Sequence, residues 1–353
     1  GQLPYEKGQT EKSAIQMIGF AKTDYLAKGE SQEVTIEVDD YAFAAYDMNA
    51  VNGADTSKTG CYIFDAGDYY FAIGDNSHDA LNNVLAAKGA TGMYDQAGKA
   101  VVGDSAKTVA ITLDTLDNVT HATSTITDTI VSNQLEEVDL NYYKEGEITY
   151  LTRDDWNTFP QTYKSVSVTD EMKVLLEGAT YIEPDDAIAV DDVTVDAEND
   201  LDLVNMKDEA FDSEKWDEFI EQLSVNELAT ICGDNRGNVA ITDVGKPANA
   251  STNGPNGIQG SYKNGNGKGC TLYVDQVVQA CTWNLDLARE RGEFFAEDAM
   301  YAGVTMVFGP GANIHRTAYL GRNSEYFSED GWMSYLMSRS QAKAMTEKGI
   351  ITG

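Results

Sequence analysis

At 353 residues and 42% hydrophobic content, the chain is long enough for two or three domains, each with its own core. Its 58 acidic against 25 basic residues, a net charge of −33, argue against nucleic acid, because phosphate binding needs clustered cations, and against an anionic membrane surface. A neutral ligand such as a sugar is compatible with this charge, and the acidity itself reads as a solvated surface.

The first 88 residues read as all-β. Lys28-Gly-Glu-Ser31 is a turn, and Val34-Thr-Ile-Glu-Val38 after it alternates apolar and polar, the signature of a half-buried strand. Cys61-Tyr-Ile-Phe64 and Tyr69-Tyr-Phe-Ala-Ile73 are two more strand candidates, joined by the hairpin-like turn Asp65-Ala-Gly-Asp68. Short strands at this spacing suggest a sandwich.

Residues 89–205 carry weaker signals. Thr108–Leu113 and Gly146–Leu151 are strand candidates, and Glu183–Asp202 is an acid-rich run without glycine, which reads as a solvated linker. From Phe211 the period becomes helical. Ser213 is a candidate N-cap for Trp216, Phe219, Ile220 and Leu223, and Ser224 with Glu227 forms a capping box. Asp286–Ala302 predicts a long helix with Leu287, Phe294, Phe295 and Ala299 on one side. Val304–Phe308 is a short strand, Trp332–Met345 a helix ended by Gly349, and Ile350-Ile351 begins the next strand. That alternation is the rhythm of an α/β barrel or a doubly wound sheet.

Cys61, Cys232, Cys270 and Cys281 are too scattered for a disulfide framework, with a Cys270–Cys281 bridge left open, and His78, His121 and His315 offer no metal-ligand spacing. The run from Asp234 fails the register of a calcium loop, with Arg236 and Asn238 at its third and fifth positions. No cofactor is expected. No apolar run reaches the roughly 18 residues of a spanning helix. The start at Gly1 and the ending Lys348-Gly-Ile-Ile-Thr-Gly353 both suggest a piece of a longer protein.

The chemistry concentrates in the last third. Gly309-Pro-Gly-Ala-Asn-Ile-His-Arg316 follows a strand at its C-terminal end, where barrels carry their ligand loops. Arginines such as Arg316 and Arg322 can give two parallel hydrogen bonds to vicinal hydroxyls or a carboxylate, and Tyr319 and Tyr326 can stack on a sugar face or pack. Followed by Gly321-Arg-Asn-Ser-Glu-Tyr-Phe-Ser-Glu-Asp330, this run closely resembles the barrel of family 3 glycoside hydrolases of the β-glucosidase type. Val244-Gly-Lys-Pro247, Gly254-Pro-Asn-Gly-Ile258, Ala280-Cys-Thr-Trp-Asn284 and Gly349-Ile-Ile-Thr-Gly353 resemble further segments of that barrel in order. Met17–Phe20, Leu26–Glu30, Tyr46-Asp47 and Asp65–Gly74 resemble the family's fibronectin type III-like module. Here the module comes first, as in a circularly permuted subgroup, and Tyr150–Trp156 resembles that subgroup's connecting segment.

The resemblance implies a multidomain chain: a fibronectin type III-like β-sandwich over 1–88, a linker or insertion over 89–205, and over 206–353 the N-terminal part of a (β/α)8 TIM-type barrel. It implies a retaining exo-acting β-glycosidase, most specifically a β-glucosidase, with an oligosaccharide or glycoside as substrate. Such enzymes use two carboxyl groups about 5–5.5 Å apart. In the family these belong to a later barrel strand and to another segment, commonly the sandwich domain. No catalytic residue is therefore assigned in this chain, which is expected to be inactive alone and to need the rest of its parent. Glu325, Glu329 and Asp330 read as structural, as do His315 and Arg316. Arg322 matches the family's sugar-binding arginine, Tyr326 is a substrate-binding candidate, and Asn253 stands where the family usually has an aspartate before Gly-Pro. The competing readings are a non-catalytic carbohydrate-binding or scaffold protein on the same fold and a surface adhesion protein built on the β module.

Overall fold

The computed structural model describes residues 1–143, 149–159, 167–178, 182–233, 238–258, 270–315 and 317–353. Two compact units form, one of residues 1–164 with 330–333 and one of 165–329 with 334–353.

In the first unit, β1 (Ala45–Val51) pairs antiparallel with β2 (Thr59–Ile63), and β3 (Gly67–Ala72) pairs antiparallel with β4 (Thr108–Leu113). The turn at Asp65–Asp68 is therefore a corner between two sheets, not the hairpin expected from sequence. Gly67, at φ +130°, makes that corner possible. The pleat sends alternate residues inward, so Ala45, Cys61, Ile63 and Tyr69 meet Leu3 and Phe64 in one core, with Phe43 and Phe71 against it. The strand expected at Val34–Val38 is absent: the residues pair with no neighbour in a sheet, and Val34, Ile36 and Val38 are 38–42% exposed. Alternation defines two faces, but a strand also needs a partner for its backbone.

A helix interrupts the region read as all-β. α1 (Ser77–Ala87) is capped by Asn76, whose side chain accepts from the Asp79 N–H at 3.0 Å. Buried asparagines bind the following segment to the unit. Asn82 Oδ1 accepts from Met93 N, and Asn83 donates to Ile73 O and accepts from Asp104 N, each at 2.8 Å. Asn52, fully buried, donates to Ala122 O and Val131 O at 2.8 and 2.9 Å. Farther on lies the one-turn α2 (Leu140–Tyr143), and Glu11 accepts from Thr152 Oγ1 and Arg153 N. Of the strand expected at Gly146–Leu151, residues 146–148 lie outside the described residues and 149–151 are not in a strand.

The second unit opens with α3 (Asp170–Glu177), and the acidic run 183–202 after it is irregular apart from short turns at 184–187 and 190–192. α4 (Lys215–Glu221) and α5 (Val225–Gly233) then pack Phe219 and Leu223 against Met206, Ile241 and Val244. Ser213 sits one residue ahead of the α4 cap position, which is Glu214. The capping box is present: Glu227 N donates to Ser224 Oγ at 3.3 Å while Ser224 N donates to the Glu227 carboxylate at 2.9 Å. Residues 234–237, with Asp234 and Arg236 of the rejected calcium loop, lie outside the described residues.

A three-stranded parallel sheet follows, in the order β5 (Ser251–Asn253), β6 (Met306–Phe308), β7 (Ile351–Thr352). Ser251 aligns with Met306 and Met306 with Ile351, so all three strands end on one side. Between β5 and β6 run α6 (Gln276–Ala280) and α7 (Leu285–Ala302), and between β6 and β7 runs α8 (Gly331–Glu347). The buried stripe of α7 is Ala288, Arg291, Gly292, Phe295, Ala296, Ala299 and Ala302. Leu287 and Phe294, expected on that side, are 41% and 56% exposed. Phe295 and Ala299 are buried as expected, and with alanine and glycine along the stripe α7 approaches α8 closely. A Cβ on Gly292 would sit 2.4 Å from Gln341 O. Phe295, Val304, Val307, Met345 and Ile350 fill the core beneath the sheet. All four cysteines are free, so Cys270 and Cys281 do not bridge.

Candidate functional site

Two loops leave the same side of this sheet. One follows β5 as Gly254-Pro-Asn-Gly257, and the other runs from Gly309, after β6, to Asp330. They meet in an open pocket of about 360 Å³ whose wall includes Asn253, Pro255, Asn256, Arg322 and Glu325, with Leu272 beside them. The structure thus brings together Asn253 and Arg322, 69 positions apart (322 − 253) in the sequence.

Asn253 is the last residue of β5 and is exposed. Gly254 after it, at φ +138°, lets the chain double back, and a Cβ there would meet Gly257 O at 2.4 Å. Arg322 is pinned by Glu325 through two parallel bonds, Nε to Oε2 at 2.5 Å and Nη2 to Oε1 at 2.7 Å. The carboxylate holds the guanidinium firmly protonated, raising it above its ordinary value. Although paired, the Arg322 side chain is 62% exposed, so its remaining edge faces solvent.

Tyr326 lies behind this pair and not in the pocket wall. It is 8% exposed, with its ring 5.8 Å from the Arg322 guanidinium and 6.4 Å from His315. His315 sits with Nε2 3.2 Å from Tyr326 O, and its main-chain N–H donates to Ser328 O at 3.1 Å. Tyr319 is 75% exposed, and Arg316 lies outside the described residues. Asp330 accepts from Met333 N at 2.9 Å, in the first turn of α8.

Two residues that the sequence reading passed over hold the loops in place. Gln276, fully buried at the start of α6, donates to Gly311 O at 2.8 Å and accepts from Gly311 N at 2.9 Å. Arg291, in the stripe of α7, donates to Pro255 O, Asn256 Oδ1, Val274 O and Gln279 Oε1 at 2.8–3.0 Å. Burial lowers its pKa to about 10, with Tyr273 and Asp275 acting in the other direction, so it remains a cation at neutral pH. Its signal in the sequence was a charge in the apolar period of a helix. Gln276 had none.

Chemically the pocket offers a neutral amide, a hydrogen-bonding guanidinium edge and polar loop backbone, a set suited to hydroxyl-rich neutral ligands. Among the described residues its wall holds one carboxylate, Glu325, already engaged by Arg322. Among the described residues there is no group of three or more His, Cys, Asp or Glu placed to hold a metal, and no helix is long and apolar enough to cross a membrane.

Residues 3–77 match the fibronectin type III-like domain family. "Beta-glucosidase A" of Butyrivibrio fibrisolvens is 24% identical over 356 residues, covering 98% of this chain and 38% of the relative. "Thermostable beta-glucosidase B" of Acetivibrio thermocellus is 30% identical over 139 residues, covering 37% of this chain and 18% of the relative. A solved β-glucosidase from Paenibacillus barengoltzii shares the fold at a TM-score of 0.53 and 20% identity, over 99% of this chain and 34% of that one. The chain spans well under half the length of these relatives. The chain thus carries a fibronectin type III-like module and is similar, along nearly all of its length, to curated β-glucosidases.

Proposed function

We propose that the chain supplies the terminal-sugar pocket of a retaining, exo-acting β-glycosidase acting on β-glucosides, and that β5, β6 and β7 are the first strands of a (β/α)8 barrel. The observation that carries this reading is the meeting of Asn253 and Arg322, from the loops after two adjacent parallel strands, in one open pocket. Ligand loops at the C-terminal ends of parallel strands are the rule in barrels. In this reading the free edge of Arg322 donates to sugar hydroxyls, Asn253 accepts from one, and Tyr326 acts through Arg322 by supporting its guanidinium. Two carboxyl groups about 5–5.5 Å apart would break the bond. They come from segments of the parent protein other than this pocket wall.

Incubating the chain with an aryl β-glucoside should release no aglycone above background, while a glucose titration should perturb the amides of Asn253, Gly254, Asn256 and Gly257. Robust turnover would overturn the placement of the carboxylates, and a silent titration would overturn the pocket.

Asn253 favours a second reading, a carbohydrate-binding or scaffold protein without catalysis. A neutral amide gives hydrogen bonds of about 1 kcal/mol where a carboxylate gives about 1.5–3. In the parent protein Asn253→Asp should raise kcat/KM on aryl β-glucosides or shift the preferred sugar. An unchanged kcat/KM would mean that Asn253 only shapes the turn. A parent sequence with no aspartate at the family's nucleophile position would favour the scaffold.

A further inference from the structure

We infer that Arg291 is a positioning residue for this pocket: from inside α7 it fixes the Pro255–Asn256 turn, and through that turn the height of Asn253. The inference rests on reading the pocket as a sugar site.

Arg291 is 6% exposed, and a cation is a costly way to fill a helix interface. A leucine or methionine would pack there without desolvating a charge. None of the four atoms to which Arg291 donates is a carboxylate. Two belong to the pocket loop, Pro255 O at 2.9 Å and Asn256 Oδ1 at 3.0 Å, and the other two, Val274 O and Gln279 Oε1, anchor the guanidinium to the α6 segment. Around it both polar atoms of the Asn256 side chain are held. Oδ1 accepts from Arg291, Nδ2 donates to Asp275 Oδ1 at 2.7 Å, and the main-chain carbonyl of Asn256 accepts from Tyr273 N at 2.8 Å. The Tyr273 ring lies 5.3 Å from the guanidinium and is stacked at 5.5 Å on Phe295, one helical turn along α7. The planar fork of an arginine can span these acceptors at once; no other side chain has donors in that geometry.

The consequence reaches the pocket because the turn is short. Two residues separate Asn253 from Asn256, one of them a proline. A turn fixed at Pro255 and Asn256 leaves Asn253 little room to move relative to Arg322.

The test uses the chain as it stands, in wild-type, Arg291→Met and Arg291→Lys forms. Amide hydrogen exchange is read at Gly257 and Tyr273 and across α7 and α8, with glucose affinity read by titration on the same samples. With Arg291→Met, exchange at Gly257 and Tyr273 should rise about tenfold or more and glucose affinity should fall about tenfold, since charge-assisted bonds from a buried group are lost. The α7 and α8 amides should hold, and Arg291→Lys should recover part of both effects. Unchanged loop exchange, a rise shared equally by α7 and α8, or a loosened loop with unchanged glucose affinity would each overturn the inference. If the loop loosens in Arg291→Met but even the wild type ignores glucose, the anchor is real and the sugar reading fails. If the wild type binds glucose and Arg291→Met binds it equally, the sugar reading survives and the anchor fails. Should Arg291→Met not fold, Gln279→Met removes one acceptor from outside the pocket wall. It should give the same local pattern at about threefold, and no local change there would overturn the inference.

Discussion

Gln276 closes a reciprocal pair of bonds on the two backbone groups of one residue, Gly311, and nothing else described reproduces that pair. Gln276→Met keeps the length and volume of the side chain and removes both bonds. The N–H and C=O of Gly311 are then left without partners at a half-buried position. At roughly 1–1.5 kcal/mol for each partly screened group the cost is about 2–3 kcal/mol, which lowers the Tm of a unit this size by about 4–10 °C. Gln276→Glu separates the two bonds. Its carboxylate still accepts from Gly311 N but faces Gly311 O, so burial and the carbonyl raise its pKa above the ordinary value near ~4.3. Only the protonated acid can donate to Gly311 O. Its stabilising bond is therefore fully present below the unfolded pKa and is lost as pH rises through the folded one. Chemical denaturation followed by far-UV circular dichroism, at about pH 4 and about pH 8, gives the difference between wild type and variant, in which the acid sensitivity common to both cancels. The gap should be small at the lower pH and wide at the higher. A Gln276→Met cost under about 0.5 kcal/mol, or a Gln276→Glu gap equal at both pH values, would refute the reasoning.

Gly292→Ala should destabilise by about 1–3 kcal/mol although alanine is the better helix former, because its Cβ would stand 2.4 Å from Gln341 O and 2.9 Å from Ala344 Cβ; thermal unfolding measures it, and a more stable variant would mean that α7 and α8 can separate. Asn52→Ala removes donors to Ala122 O and Val131 O and an acceptor for Ala54 N and Asp55 N. It should cost about 3 kcal/mol or more and expose residues 118–131 to limited proteolysis. Burial pushes the Tyr69 phenol well above its ordinary 10. A raised folded pKa means that this contribution is whole below about pH 10 and is lost as pH climbs through the folded value. Tyr69→Phe should flatten the alkaline loss of stability of the first unit, and a variant that unfolds with the same alkaline profile would show that another group sets it.

Much of the second unit was legible because its signals are local. The capping box at Ser224 and Glu227 needs two side chains three residues apart, and it formed as read. The Gly349 end of α8, at φ +88°, and in the first unit the strand at Thr108–Leu113 were likewise written in short stretches. Errors came where the answer depended on a partner elsewhere. Val34–Val38 has the alternation of a strand and no ladder, and β2 and β3 look like a hairpin until their real partners, β1 and β4, are known. α1 was missed although Asn76 and Asp79 mark its start, because the surrounding β pattern outweighed one cap. Of the α7 side read from sequence, Phe295 and Ala299 are buried, and Leu287 and Phe294 are exposed. Arg291, one turn after Leu287 and one before Phe295, lay on the side read from sequence, but only the apolar residues of that side were taken as core. In the pocket the motif pointed to Asn253 and Arg322, which do share a wall; Glu325, read as structural, clasps Arg322, and Tyr326, open in sequence to stacking or packing, is buried behind the pair.

The anchoring of the β5 loop from α7 bears on how such loops can be exchanged. Loops at the ends of parallel strands invite grafting, since the strands below them need not change. The Gly254–Gly257 turn is an exception, because its fixed point lies 36 residues downstream of Pro255, on Arg291. A transplant of residues 253–257 alone would arrive with its carbonyls facing an aliphatic side chain and would settle into another shape. Moved together with Arg291 and the Tyr273–Gln279 segment, the same turn carries its own support. The heritable unit of this half of the pocket is thus the loop, the segment that leads into α6 and one arginine of α7.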